Sequence, residues 1–186
     1  YCYEDARLAD TIVLWGSNAY DTATVFFVAH MIPNLQGATS DEKKANFPKG
    51  EPIEAARIVI VDPRISSTVN AAHETGAKVL HLRPNLGTDY MLANAVARVV
   101  WEKKYYNKDF LNQHTDMSSF EDYKKKSLEL DMPYKNFIAR AQKITGVPVD
   151  QIEQAAMWIA QPKPGGHWRR SLCLLYTSDA ADERSS

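Results

Sequence analysis

Three short turns in this chain have the residue types that bind phosphate, sugar and a purine base. Each turn follows a run of apolar and β-branched residues that is typical of a buried strand. The turns are Gly16, Ser17 and Asn18; Asp62, Pro63 and Arg64; and Gly87, Thr88 and Asp89. Because ligands in open α/β sheets bind beyond the carboxyl ends of parallel strands, their common position predicts a single nucleotide site.

The first turn has features of a phosphate-binding loop. Gly16 permits a positive φ or a close approach of the backbone to a ligand, and the helix that follows offers free N–H groups to phosphate. The turn lacks the G-x-G-x-x-G pattern of ordinary NAD-binding domains. A strand-to-helix turn that simply needs a small residue is therefore the structural alternative.

The second turn has a carboxylate next to a guanidinium. Asp62 can accept two hydrogen bonds, from a ribose diol or from the N1–H and amino group of guanine. Arg64 offers a planar fork to phosphate or to a carbonyl edge. The alternative is a local ion pair that closes the turn.

The third turn places a small residue and an acid at the start of a helix. Thr88 or Asp89 is also a good helix cap, which is the structural alternative to ligand binding. Upstream, Arg83 and Pro84 add a cation and a stiff residue to the same loop.

These turns need a regular framework, and the hydrophobic pattern predicts one. Strands are expected at residues 11–14, 57–61 and 78–82, with a helix after each strand and a surface insertion at residues 34–52. This alternation predicts an α/β fold with a doubly wound, mostly parallel, Rossmann-like sheet. A helical segment is expected to follow, with helices at residues 109–114, 134–145 and 149–160.

Composition excludes several classes of function. The 186 residues carry a net charge of −1, which gives no electrostatic footprint for nucleic acid. No apolar run reaches the roughly 18 residues of a membrane span. The two cysteines and five histidines show no metal-ligand spacing, so no metal site is predicted.

The two ends of the chain predict a piece of a longer protein. The sequence begins without Met or a signal segment, and residues 173–183 resemble a translated sequencing adapter. We therefore expect residues 1–171 to be part of a larger cofactor-binding α/β region and residues 172–186 to be a non-native, disordered tail. The alternative is a native, disordered acidic tail.

The motifs around the three turns resemble a known family. ADTIVLWGSN, RIVIVDPR and the RP…GTD helix start are similar to the nucleotide-binding region of molybdopterin oxidoreductases of the dimethyl-sulfoxide-reductase type. Within that family, IPNLQGAT at residues 32–39 and ITGVPVDQIEQAAMWIAQPKPGG at residues 144–166 resemble arsenite oxidase large subunits. The likeness covers roughly residues 3–171.

The resemblance implies a cofactor and a role for each turn. The cofactor is molybdenum bis(molybdopterin guanine dinucleotide), of which the turns would hold one dinucleotide. Residues 16–18 would meet its phosphate and sugar, residues 62–64 would frame the guanosine end, and residues 87–89 would complete the pocket. Asn85 and Leu86 interrupt the family's common Arg-Pro-Gly-Thr-Asp pattern, which bears on the role of Arg83 more than on that of Asp89.

The resemblance also implies a reaction and a setting. The longer protein of which this chain would be a piece, its parent, would be a periplasmic, molybdopterin-dependent oxidoreductase that oxidises arsenite to arsenate. It would pair with a small Rieske iron–sulfur subunit. In the family, the iron–sulfur ligands and the arsenite-contacting side chains lie outside the stretch resembled. No catalytic residue is therefore assigned, and the chain alone is expected to be inactive.

Two other readings of the motifs are open. One is a molybdopterin oxidoreductase that acts on nitrate, formate or a sulfur compound. The other is a non-catalytic nucleotide-binding or interaction module that shares the doubly wound fold.

Overall fold

The computed structural model describes residues 3–175, which form two compact units. The first unit takes the residues up to His81 and those from Arg170 onward, and the second unit spans Leu82–Arg169. Among residues 3–175, no helix has the length and apolar character needed to cross a lipid bilayer.

A four-stranded parallel sheet organises the first unit. Its strands are β1 (Thr11–Trp15), β2 (Arg57–Val61), β3 (Val79–Leu82) and β4 (Ser171–Leu175), in the order β3-β2-β1-β4. From β1, the next two strands β2 and β3 follow in order on one side, and β4 lies on the other side, which is the order of doubly wound nucleotide-binding sheets. The predicted α/β fold is confirmed, and β2 has the predicted limits.

Short helices accompany this sheet. They are α1 (Asp5–Leu8), α2 (Ala19–Thr22), α3 (Thr24–Phe26), a π-helical turn (Phe27–Met31), α4 (Ile32–Leu35), α5 (Ser40–Asn46) and α6 (Ser67–Glu74). Alternate strand residues such as Ile12 and Ile60 pack with Phe27, Met31 and Val69 in one buried core. Residues at the other positions of β1 and β2, Val13 and Val59, are buried as well, as is typical of parallel strands.

The returning strand β4 corrects one prediction. It pairs with β1 in register, from Thr11 opposite Ser171 to Trp15 opposite Leu175. Residues 172–175 are therefore ordered in the sheet rather than part of a disordered tail, because Leu172 and Leu174 supply apolar side chains to the core at alternate positions. Residues 176–186, the rest of the expected tail, lie outside the described residues.

The expected surface insertion at residues 34–52 is also corrected. It contains helix α5, and Asn34 and Lys43 are buried. Asn34 Nδ2 donates to the carbonyls of Ala6 (2.7 Å) and Ala9 (2.8 Å), and Lys43 Nζ donates to the carbonyls of Ala9 (3.0 Å) and Glu54 (2.8 Å). Because the last carbonyls of a helix have no helical partner, the end of α1 needs donors from elsewhere.

The second unit is helical. It contains α7 (Asp89–Glu102), α8 (Lys108–His114), α9 (Met117–Lys126), α10 (Tyr134–Thr145) and α11 (Val149–Ala160), with α7 packed on α10 and α11. The predictions for residues 134–145 and 149–160 are confirmed, whereas α9 is not predicted. Buried Arg98 of α7 donates to the carbonyls of Leu128, Glu129 and Met132, which fixes the chain between α9 and α10.

Replacement of Asn34 by Ala tests the buried hydrogen bonds at the end of α1. We expect the free energy of unfolding to fall by about 1–3 kcal/mol, because the Ala6 carbonyl loses its Asn34 donor while the Ala9 carbonyl keeps Lys43. Chemical denaturation of the purified chain measures this change. Asn70→Ala, on the exposed side of α6, is the matched control and should change stability by no more than about 0.5 kcal/mol. An equal effect of the two substitutions would refute the structural role of Asn34.

Candidate functional site

The first two predicted turns lie side by side at the carboxyl ends of β1 and β2. Gly16 has a φ of 64°, and its N–H donates to the carbonyl of Val61 at 2.8 Å. That bond extends the sheet by one step and starts both loops from the same edge. A residue with a side chain would be strained at this φ, so glycine is required by the backbone here.

The side chain of Asn18 is held by protein atoms at both ends of its amide. Its Oδ1 accepts from Thr68 Oγ1 at 2.7 Å and from Thr68 N at 3.3 Å. Ser67 Oγ lies 2.9 Å from the same oxygen and shares its one proton with Asp21 Oδ2 at 2.6 Å. Asn18 Nδ2 donates to Asp21 Oδ2 at 2.6 Å. Asn18 therefore joins the loop after β1 to the first turn of α6.

Thr68 is the centre of this connection. The residue is fully buried, its hydroxyl donates to Asn18, and the same oxygen accepts from the Tyr20 N–H at 2.9 Å. The bond from Thr68 N to Asn18 caps α6 from a position 50 residues away. Ser66, at the usual capping position, has a buried Oγ without a hydrogen-bond partner among the described residues.

In the second turn, a hydrogen bond holds the Asp62 carboxylate, whereas the Arg64 guanidinium is exposed to solvent. Asp62 is 3% exposed, and its Oδ1 accepts from the N–H of Arg64 at 2.8 Å. Within residues 3–175, no hydrogen bond uses the other oxygen, Oδ2. The Arg64 side chain is 77% exposed and its Nε lies 3.6 Å from Asp62 Oδ1, so the ion pair that would close the turn is long. Pro63, between them, is half-buried.

A residue of the neighbouring strand also holds Asp62. His81 of β3 places its Nε2 2.8 Å from the carbonyl oxygen of Asp62. Because a carbonyl only accepts, Nε2 carries the proton in this contact. The backbone and the carboxylate of Asp62 are thus fixed by separate partners.

The third turn belongs to the second unit and is described within it. Gly87 has a φ of 75° and is exposed. Thr88 Oγ1 donates to the carbonyl of Asn85 at 2.7 Å, and no cap bond joins the Thr88 side chain to α7. Of the two predicted caps, Thr88 stands at the N-cap position of α7, but its hydroxyl closes the preceding turn instead of bonding to the helix. Asp89 is the first residue of α7, where a carboxylate suits the helix dipole.

Asn85, one of the two residues that interrupt the pattern, has a structural role. Asn85 N donates to the carbonyl of Thr145 at 2.7 Å, and Asn85 Nδ2 donates to that of Ile144 at 3.0 Å. Gly146 leaves room for this amide, since a Cβ there would lie 3.2 Å from the Asn85 side-chain nitrogen. The longer loop is thereby attached to the end of α10.

Sequence reasoning missed several residues of the site, among them Thr68, Ser67, Asp21 and His81. The Ser-Ser-Thr run at residues 66–68 is a helix-start signal, but its pairing with Asn18 is a long-range contact. The structure brings the first and second turns together through this pairing. Ser17 is half-buried in the first turn.

The arrangement suits the guanosine phosphate portion of a cofactor. The free acceptor of Asp62 fits the N–H donors of guanine, and the exposed guanidinium of Arg64 fits a phosphate. The buried hydroxyl of Ser66 is a further polar group, one that no residue between 3 and 175 binds. Within residues 3–175, no three His, Cys, Asp or Glu side chains are grouped to hold a metal ion.

Curated relatives of this chain include an arsenite oxidase subunit and an iodate reductase subunit. No protein-family model matches the chain. It is 38% identical over 171 residues, 91% of its length, to the arsenite oxidase subunit AioA of Herminiimonas arsenicoxydans. It is 26% identical, over 88% of its length, to the iodate reductase subunit IdrA of Pseudomonas sp. (strain SCT). The chain spans about a fifth of each relative, 20% and 19% of their lengths.

A solved structure shares the fold. Acetylene hydratase from Pelobacter acetylenicus matches 92% of this chain with a TM-score of 0.62 and 18% sequence identity. The match covers 18% of the hydratase chain. At this identity the likeness establishes the fold alone.

Proposed function

Because this chain belongs to the molybdopterin oxidoreductase family, we propose that it is part of the catalytic subunit of an arsenite oxidase. The observation that carries this proposal is the 38% identity to AioA over 91% of the chain. The parent protein would oxidise arsenite to arsenate. Residues up to 171 would form part of its cofactor-binding region.

The proposed role of the chain is to hold one guanosine end of molybdenum bis(molybdopterin guanine dinucleotide). Asp62 Oδ2 would accept from the guanine N–H groups, Arg64 would pair with a phosphate, and Ser66 Oγ would gain a partner. The backbone N–H of Ser17 would face the phosphate and sugar, since that of Gly16 is bound to the Val61 carbonyl. For Gly87, Thr88 and Asp89, and for Pro63, a binding role rests on the family resemblance alone.

Redox chemistry would come from the bound cofactor, which supplies a two-electron centre at molybdenum. The chain would orient its nucleotide end. We assign no catalytic residue here, and we place the iron–sulfur ligands elsewhere in the parent. By the same family resemblance, we propose a small Rieske iron–sulfur subunit as partner and the periplasm as location.

A second candidate is another oxidoreductase of this family. The 26% identity to the iodate reductase subunit IdrA over 88% of the chain favours it. The nucleotide end of the cofactor would be held in the same way in both cases. The two candidates therefore differ in the substrate and agree on the site described above.

Expression of the full-length gene in cells that make the molybdenum cofactor tests the proposed activity. We expect about two guanine nucleotides per molybdenum after acid release, and arsenite-dependent reduction of an artificial electron acceptor. A protein with molybdenum that reduces iodate and ignores arsenite would support the second candidate. A well-folded protein without molybdenum would refute both.

Asp62→Asn tests the proposed guanine contact. The amide keeps an oxygen for the Arg64 N–H and replaces the free acceptor by a donor, which would face the donors of guanine. We expect GDP to bind this variant about tenfold more weakly, since an unpaired buried polar group costs about 1–3 kcal/mol. Isothermal titration calorimetry on the chain measures the affinity. The exposed Asp41→Asn is the control, and equal GDP affinity for both variants would contradict the contact.

A further inference from the structure

The hydrogen-bond network around Asn18 leaves this side chain little capacity for a ligand. An amide oxygen has two lone pairs, and Oδ1 of Asn18 already has three donor atoms within 3.3 Å. The amide nitrogen spends one of its two protons on Asp21. Asn18 cannot accept another hydrogen bond from a sugar hydroxyl, so its contribution to the site must come chiefly from where it holds the backbone.

Thr68 makes hydrogen bonds both to the Asn18 side chain and to the backbone of α2. Its hydroxyl donates to Asn18 and accepts from Tyr20 N, so one oxygen fixes the end of the first turn and the start of α2. The residue is 0% exposed, so it does not contact a ligand directly. A valine would have the same shape, but it would leave the Tyr20 N–H without this acceptor and remove the shortest of the contacts to Asn18 Oδ1.

The same contact fixes the second turn. Helix α6 begins at Ser67, a few residues after Arg64, and Asn18 binds the Thr68 N–H in its first turn. The start of the helix therefore cannot move without the loop after β1. Ser66, which would ordinarily supply that cap, keeps a hydroxyl that no described residue binds.

We infer that Thr68 is a positioning residue of the nucleotide site, acting through Asn18 to hold the turn after β1 against the start of α6. This inference rests on the proposed function, because the site it positions is the proposed guanosine pocket. Thr68 fixes the distance between the phosphate-facing backbone of the first turn and the carboxylate of Asp62. The Asn18 side chain connects the first turn to the start of α6, which follows the turn that carries Asp62.

The test compares Thr68→Val with Thr68→Ser in the chain, by titration with GDP below the unfolding temperature of each variant. We expect about a tenfold loss of GDP affinity for Thr68→Val and recovery to within about twofold for Thr68→Ser, which keeps the hydroxyl. Amide hydrogen exchange should show faster exchange of the Tyr20 N–H in the valine variant only.

Thr39→Val is a matched control in the same unit. Thr39 is also buried, and its hydroxyl also donates to an asparagine, Asn34, at 3.1 Å. We expect this variant to lose stability and to keep the GDP affinity of the unchanged chain. A general loss of packing would lower the affinity in both valine variants, which would overturn the inference.

Asn18→Ala provides the second route if Thr68→Val does not fold. Because the two side chains act as a unit, the double variant should bind GDP about as weakly as the weaker single variant, not about 100-fold more weakly. Unchanged affinity in Asn18→Ala or Thr68→Val would overturn the inference while leaving the pocket intact. Absence of GDP binding by the unchanged chain would instead refute the guanosine pocket, and the positioning role with it.

Discussion

The contact on which the candidate site depends is the hydrogen bond from the Thr68 hydroxyl to the Asn18 amide. A parallel sheet brings the ends of β1 and β2 together, but the loops beyond those ends lack the regular hydrogen bonds that join the strands. The buried Thr68 hydroxyl and the Asn18 amide provide a hydrogen bond in their place, and this bond holds the loop after β1 against the start of α6. The turn that carries Asp62 then has a fixed neighbour in the loop after β1.

In both units, asparagine side chains join separate segments of the chain by hydrogen bonds. Asn34 joins the end of α1 to the segment before α5, and Asn85 joins the loop before α7 to the end of α10. An amide is short and has donors and an acceptor on one plane, so it can satisfy backbone groups that helix ends and loops leave unpaired. Loops without regular secondary structure can thus keep a defined position.

Local pattern was enough for much of the fold. The β-branched run of residues 57–61 and the stretch of residues 134–145, which ends at the left-handed Gly146, have the predicted limits. Nothing local revealed that Asn34 is buried or that Asn18 pairs with Thr68, because these contacts join residues 25 to 50 positions apart. The three turns were found as candidates, but the residues that hold them were not.

The first unit is discontinuous, and residues 83–170 separate β3 from β4. Arg170 closes it by donating its backbone N–H to the carboxylate of Asp10 and its guanidinium to Glu51. On a ribosome adding about 5–20 residues per second, β1 waits on the order of 5–20 s for this neighbour after β3 has been made. During that interval one edge of β1 has no partner strand, so a chaperone has its clearest target there in the nascent chain.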